Sequence, residues 1–216
     1  MINTKIMTAI ASILGIFSFL WQGTEREARF WQWFQKHQDE IYSIQGPEDD
    51  AFNKLAHEIQ TVYPDLAFQL GAVENGQREF ILSADGLKRA FPAVESLAKA
   101  APPMPRWKVT TFRPRQPELT GLKINGVTIA PDDVAVSCQS SLGSMNVTLF
   151  LGDPQLDEEI RGNMGFLFLD QTLGEYDVET YLGTIEFKPA NAPSSLPKVS
   201  LVAFQKQFDE FKKHVK

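Results

Sequence analysis

The sequence predicts an α+β fold with a mixed, largely antiparallel sheet built from two β-β-α-β pseudo-repeats, helices mainly on one face, and extra helices at both ends. Apolar residues alternate in several short segments and recur at helical spacing in the longer segments between them. The pattern also repeats at one offset, since Val134 lies 68 residues after Leu66 and Asp153 lies 68 residues after Asp85. Leu66 and Val134 each start a predicted strand, and Asp85 and Asp153 each start a predicted helix.

Composition predicts a folded chain with an acidic surface. The 216 residues are 43% hydrophobic, which suffices for a large core and excludes a disordered chain. We expect a single α+β domain over residues 24–216, behind a hydrophobic N-terminal segment at 1–23. A formal net charge of −6 argues against nucleic-acid binding, which needs a clustered basic face. The densest basic stretch is short and interrupted: Arg106, Lys108, Arg113 and Arg115.

Residues 6–21 carry no charge and follow Lys5. As a helix they would span roughly 24 Å, somewhat less than a bilayer core. An uncleaved membrane anchor is the leading interpretation. The alternatives are a signal peptide, although no A-x-A-like cleavage site follows, and an N-terminal helix that packs on the domain.

Two helices are predicted next. Thr24 and Glu27 form a capping-box pattern at the start of a helix that extends to about Tyr42. Its rings occupy more than one face, because Trp33 lies off the stripe of the other aromatic residues, so either core packing or a contact role remains open for it. A second helix begins at Pro47 and ends before Pro64.

The first β-β-α-β unit begins at Leu66. Alternating residues to Ala72 predict a strand, Asn75-Gly76 predicts a hairpin turn, and 80–83 predict the return strand. We expect Asp85 to cap the following helix, in which Pro92 indicates a kink or a late start. The third strand is predicted at 107–112.

The second unit follows a small predicted hairpin at 122–129. Strands are predicted at 134–138 and 145–151, and Asp153 with Pro154 is expected to cap an apolar helix over 155–173. Residues 174–177 are expected to end this helix as a loop, and 183–188 to form a third strand. A C-terminal helix then presents Phe204, Phe208 and Phe211 on one face.

Four segments resemble a group of uncharacterised bacterial proteins that share FWxWF, ISADG-like and LGEYD motifs. In this chain they are 30–34 (FWQWF), 81–86 (ILSADG), the connector at 100–107 and 173–177 (LGEYD). The resemblance covers about 30–188. It implies no activity, cofactor or site residue.

No motif predicts a catalytic residue, a cofactor or a metal site. His37, His57 and His214 lack the spacing of zinc ligands. Cys138 lies in an alternating strand and is interpreted as a small core residue. Neither a nucleophile elbow nor a phosphate-binding loop occurs.

The leading functional hypothesis is therefore a non-enzymatic acidic module that binds another protein. Residues 6–21 would tether it to a membrane if they form an anchor. The alternative is a hydrolase with a site near Asp85 and Glu175, because both residues follow predicted secondary-structure elements. The expected partner is an unidentified protein and not a nucleic acid.

Overall fold

The computed structural model describes residues 25–215 and has the α+β fold that the sequence predicts. Packing divides the chain into two compact units. The first extends to Asp85 and resumes at Arg89–Thr111; the second comprises Gly86–Lys88 and the chain from Phe112 onward. The single domain expected over 24–216 stays a prediction.

The first unit has two N-terminal helices and a β-β-α-β motif. Its elements are α1 (Glu25–Ser43), α2 (Asp50–Val62), β1 (Ala67–Glu74), β2 (Gln77–Ser83), α3 (Phe91–Lys99) and β3 (Trp107–Thr111). β1 and β2 form an antiparallel hairpin, and β3 adds to β2 in parallel. The hairpin turns at Asn75-Gly76 as predicted, both residues having positive φ.

Aromatic side chains of α1 form the core of the first unit. Phe30, Trp31 and Phe34 are each at most 1% exposed and pack around Phe80 of β2. The Trp31 indole N–H donates to the carbonyl of Leu97 at 2.8 Å. Core packing is therefore the role of three of these α1 rings.

Trp33 lies off that core. Its ring is half-buried and stacks on His37, one turn further along α1, with 4.6 Å between ring centroids. An aromatic residue at this position is thus partly covered by its own helix. The contact role considered for Trp33 stays a prediction.

The second unit contains the larger sheet. Its elements are β4 (Leu122–Ile124), β5 (Val127–Ile129), β6 (Ala135–Ser141), β7 (Ser144–Phe150), α4 (Glu158–Leu173), α5 (Glu175–Tyr181), β8 (Leu182–Lys188), β9 (Val199–Ser200) and α6 (Leu201–His214). Four strands pair in the order β8-β7-β6-β9, while β4 and β5 form a separate hairpin. The core lies between the sheet, α4 and α6, and includes Val136, Leu149, Phe168 and Phe204.

The expectation of one sheet is wrong, because the two hairpins lie in separate sheets. The β6 edge is occupied by β9, which pairs with it antiparallel. The β1 edge carries a register irregularity between Leu70 and Val73, a feature that discourages further strand pairing. The connectivity does recur, since each unit has an antiparallel hairpin followed by a parallel third strand. The pseudo-repeat as predicted, with both hairpins in one sheet, is therefore not confirmed.

Candidate functional site

A sharp corner between α4 and α5 contains the LGEYD segment. Gly174 ends α4 with φ of +87°, and its N–H donates to the carbonyl of Asp170 at 2.8 Å. A Cβ at Gly174 would lie 3.1 Å from the backbone nitrogen of Arg115, so the backbone angle and the space both require glycine here. The helix end is as predicted, but the expected loop is wrong, because Glu175 starts α5.

Glu175 is completely buried, with 0% of its surface exposed. Its Oε2 accepts from the Arg113 backbone N–H at 3.0 Å, and its Oε1 accepts from that of Gly86 at 3.5 Å. The Glu175 N–H in turn donates to the Arg113 carbonyl at 2.9 Å. One carboxylate thus joins α5 to two segments distant in sequence, a buried charge stabilised by main-chain donors.

Asp170 lies on α4, one turn before Glu175. It accepts a hydrogen bond from Nη1 of Arg113 at 3.2 Å, and both side chains are largely buried. Burial raises the pKa of Asp170 to about 7; the Arg113 guanidinium opposes this rise, and the carboxylates of Glu175 and Glu179 add to it. The carboxyl group of Asp170 consequently gains or loses its proton near neutral pH.

Glu179 lies one turn further along α5 and is partly buried. Burial and the Glu175 carboxylate raise its pKa, while Lys88 lowers it. We call this cluster the Glu175 corner: Lys88, Arg113, Asp170, Glu175 and Glu179. Chemically, it can exchange a proton near neutral pH, and it holds distant segments of the second unit together.

Asp85 does not cap α3, so that prediction is wrong. The N-cap of α3 is Ala90, and Pro92 occupies the first turn, as the alternative of a late start anticipated. Asp85 instead has a φ of +49° in a turn after β2, where its N–H donates to Oγ of Ser83 at 2.9 Å. The tight Asp85-Gly86 turn separates the strand from the helix by several residues.

Asp153 does not cap α4 either. The cap is Asp157, whose Oδ1 accepts from the backbone N–H groups of Glu159 and Ile160 at 2.9 and 3.1 Å. Asp153 forms a preceding turn, with its Oδ1 accepting from the N–H of Gln155 at 2.8 Å. The helix therefore starts one turn later than predicted.

Exposed carboxylates gather where α4 begins. An open cleft of about 420 Å³ is lined by Asp133 and Asp153 together with the apolar side chains of Ile129 and Pro154. Neighbouring exposed carboxylates extend the charge beyond the cleft. We call this set the acidic surface: Asp132, Asp133, Asp153, Asp157, Glu158 and Glu159.

No residue of the acidic surface forms an ion pair within residues 25–215. Two nearby cations are occupied by backbone carbonyls instead. Arg161 is 3% exposed and donates to the carbonyls of Leu151, Asp153 and Leu156. Lys198 donates to two carbonyls of the loop after β8 and lies 3.8 Å from the ring centroid of Phe150.

The densest basic stretch does not form a free basic face. Each of its members bonds to a carboxylate within its own unit: Arg106 to Asp39, Lys108 to Glu79, Arg113 to Asp170 and Arg115 to Asp209. These four cations are therefore paired with carboxylates of the fold itself. The arrangement provides no stripe of unpaired cations for a phosphate backbone.

Cys138 is half-buried rather than a full core residue. Its Sγ lies 3.1 Å from Oε1 of Gln207, and burial raises the pKa of the thiol. A raised thiol pKa disfavours the reactive thiolate. Within residues 25–215, no three His, Cys, Asp or Glu side chains form a group that could hold a metal ion.

Within residues 25–215, the helices are too short or too polar to span a bilayer. The predicted anchor at 6–21 and the capping residue Thr24 lie outside the described residues. Glu27, the other member of the predicted capping box, is buried and accepts a hydrogen bond from Oγ of Ser96 at 2.6 Å.

The comparisons with known proteins add no family. The chain matches no protein-family model, and it has no significant match among curated proteins or solved structures. Functional inference therefore depends on the geometry of the chain itself.

Sequence reasoning did not single out Asp170, Glu179 or Arg161. Two of them carried a usable signal, because a charged residue inside the apolar α4 segment must find a buried partner. Their partners lie 57 residues away for Asp170 and on a preceding loop for Arg161. Periodicity alone cannot supply such pairings.

Proposed function

We propose that the chain is a non-enzymatic interaction module whose acidic surface binds a basic segment of another protein. The observation that supports this proposal is that Asp133 and Asp153 line one cleft, that four further exposed carboxylates are their neighbours in sequence, and that none of the six forms an ion pair inside residues 25–215. Two cations beside the cleft, Arg161 and Lys198, are bound to carbonyl groups. A partner would therefore supply the countercharge.

Electrostatic repulsion between these carboxylates favours a role in binding a basic partner over a role in solubility alone. Carboxylates concentrated on one surface repel one another, whereas pairing across an interface converts that repulsion into attraction. The apolar side chains of Ile129 and Pro154 beside the carboxylates suit the methylene stem of a lysine or arginine. The cleft thus combines the two features that a basic side chain needs.

The hydrolase hypothesis has less support. A catalytic carboxylate must reach the substrate, but the Glu175 carboxylate is fully buried and both of its oxygens accept main-chain hydrogen bonds. Asp85 forms a tight turn after β2. These contacts favour an anchoring role for Glu175.

Affinity capture from native cells, followed by direct binding to the recovered partner, tests the proposal. The test variant replaces Asp132, Asp133 and Asp153 by Asn and Glu158 by Gln; Asp157 is kept because it caps α4. Exposed charges contribute about 0.2–1 kcal/mol each, so the four changes should weaken binding by about fourfold or more. Added salt should weaken wild-type binding in the same direction.

A matched control removes four exposed carboxylates from the first unit: Glu40→Gln, Glu48→Gln, Asp50→Asn and Glu95→Gln. Its net charge changes by the same amount, and it should retain the captured partner. Equal loss in both variants would indicate a general charge effect. Undiminished binding by the test variant would refute the acidic surface as the binding site.

A further inference from the structure

The Glu175 corner contains more negative than positive charge. Three carboxylates, Asp170, Glu175 and Glu179, lie near two cations, Arg113 and Lys88. With all of them ionised the cluster has a net charge of −1, and a single proton makes it neutral. Carboxylates that lie close together with little access to water repel one another, so it is unfavourable to ionise all of them at once.

We expect Asp170 to take this proton, because burial raises its pKa to about 7. Arg113 donates to it from the segment 112–116, and Glu175 and Glu179 face it from α5. Charged residues close in sequence to Glu175 and Arg113 form ion pairs with α6, namely Asp177 with Lys212 and Arg115 with Asp209. On β8, Lys188 pairs with Glu186.

The segment 112–116 is held on the corner by bonds around Asp170. The Arg113 N–H donates to the Glu175 carboxylate, and the Glu175 N–H donates to the Arg113 carbonyl. Gln116 donates its N–H to the carbonyl of Gln171 at 2.9 Å. Opening this segment would let water reach Asp170. The protonation state of Asp170 is therefore linked to the opening of the segment.

We propose that the Glu175 corner is a pH-operated latch, in which a proton on Asp170 keeps the segment 112–116 closed and its loss as pH rises towards neutrality loosens that segment. The direction of the pH dependence follows from the linkage between protonation of Asp170 and closure of the segment. The closed state binds the proton more tightly than the solvated open state does. Closure is thus strongest in acid and weakens as pH rises, until Asp170 is ionised in both states.

Amide hydrogen exchange on the full-length chain tests the latch. The reporters are the N–H groups of Arg113, Gln116 and Glu175, with intrinsic exchange rates corrected at each pH. We expect their protection to fall by up to about tenfold per pH unit between pH 5 and pH 7 and to level off above. The amides of Val136 and Val147, in the β6–β7 ladder of the same unit, should show no such fall.

Two variants separate titration of Asp170 from general weakening. Asp170→Asn removes the titrating group and should abolish the pH dependence at the three reporters. Asp209→Asn, which removes an ion pair of the same segment with Arg115, should retain it. Protection that is independent of pH in the wild type, or a pH dependence that persists in Asp170→Asn, would overturn the latch.

Carbon-detected NMR titration of the Asp170 carboxyl group in the wild type does not depend on any variant folding. A midpoint near 7 supports the latch. A midpoint below 5 overturns it, because Asp170 would then be ionised throughout the neutral range.

Discussion

At the scale of single residues, Asp157 has the helix-capping role that the sequence suggests for Asp153. Asp153-Pro154 has the composition of a helix start, yet Asp153 closes a turn and Asp157 caps the helix. Arg161 explains the delay. Its guanidinium binds the carbonyls of Asp153 and Leu156 and thereby holds residues 153–156 outside the helix.

Asp157→Ala should lower the free energy of unfolding by about 1 kcal/mol, because two first-turn N–H groups lose their acceptor. Urea unfolding measures the change. Asp157→Asn keeps an acceptor oxygen and should cost less. The assignment of the cap fails if Asp153→Ala costs as much as Asp157→Ala or more.

At the scale of elements, α4 is apolar on most of its surface and depends on glycine for close packing. Phe187 of β8 packs against Gly162 and Gly165. A Cβ at Gly162 would make an ordinary contact, 3.9 Å from the Phe187 ring, whereas a Cβ at Gly165 would overlap that ring. Close packing against Phe187 thus requires glycine at position 165 but not at position 162.

This difference yields a matched pair of variants. Gly162→Ala should raise the free energy of unfolding by about 0.5–1 kcal/mol, the usual gain of alanine over glycine in a helix. Gly165→Ala should lower it by about 1–3 kcal/mol through overpacking. Chemical denaturation compares the two, and Phe187→Ala should relieve the second effect. Stabilisation by both alanines would contradict the packing described for Phe187.

At the scale of the whole molecule, an uncharged N-terminal segment precedes an acidic folded region. The sixteen residues from Ile6 to Trp21 contain no ionisable side chain, whereas the full chain has a net charge of −6. The segment lies outside the described residues, so its membrane role is a proposal from sequence. An anchored acidic module would present its binding surface at a membrane.

We expect the full-length chain to sediment with membranes and to resist extraction by high salt. Leu14→Lys with Phe17→Lys should move it to the soluble fraction, because a lysine near the centre of a spanning helix costs about 2.5–3.5 kcal/mol. Leu142→Lys at the exposed tip of the β6–β7 turn is the control and should leave partitioning unchanged. Wild-type protein found wholly in the soluble fraction would refute the anchor.

Local patterns in the sequence determined the α+β class and most of its strands. Alternation and Asn-Gly turns predicted the hairpins at 67–83 and 122–129, because strand faces and positive φ depend on neighbouring residues. Helix starts were less accessible to such reasoning. Asp85, Asp153 and Asp157 are all aspartates near a predicted helix start, and hydrogen bonds such as those of Arg161 to the carbonyls of Asp153 and Leu156 separate the turn residues from the cap.

Only the tertiary structure decided the sheet partners and the candidate site. Whether two hairpins share a sheet depends on which edges are already occupied, and β9 occupies the edge of β6. Likewise, Asp170 and Glu175 acquire their chemistry from Arg113 and Gly86, which are 57 or more residues away. Burial and charge pairing at such separations are properties of the folded chain, because local periodicity contains no information about them.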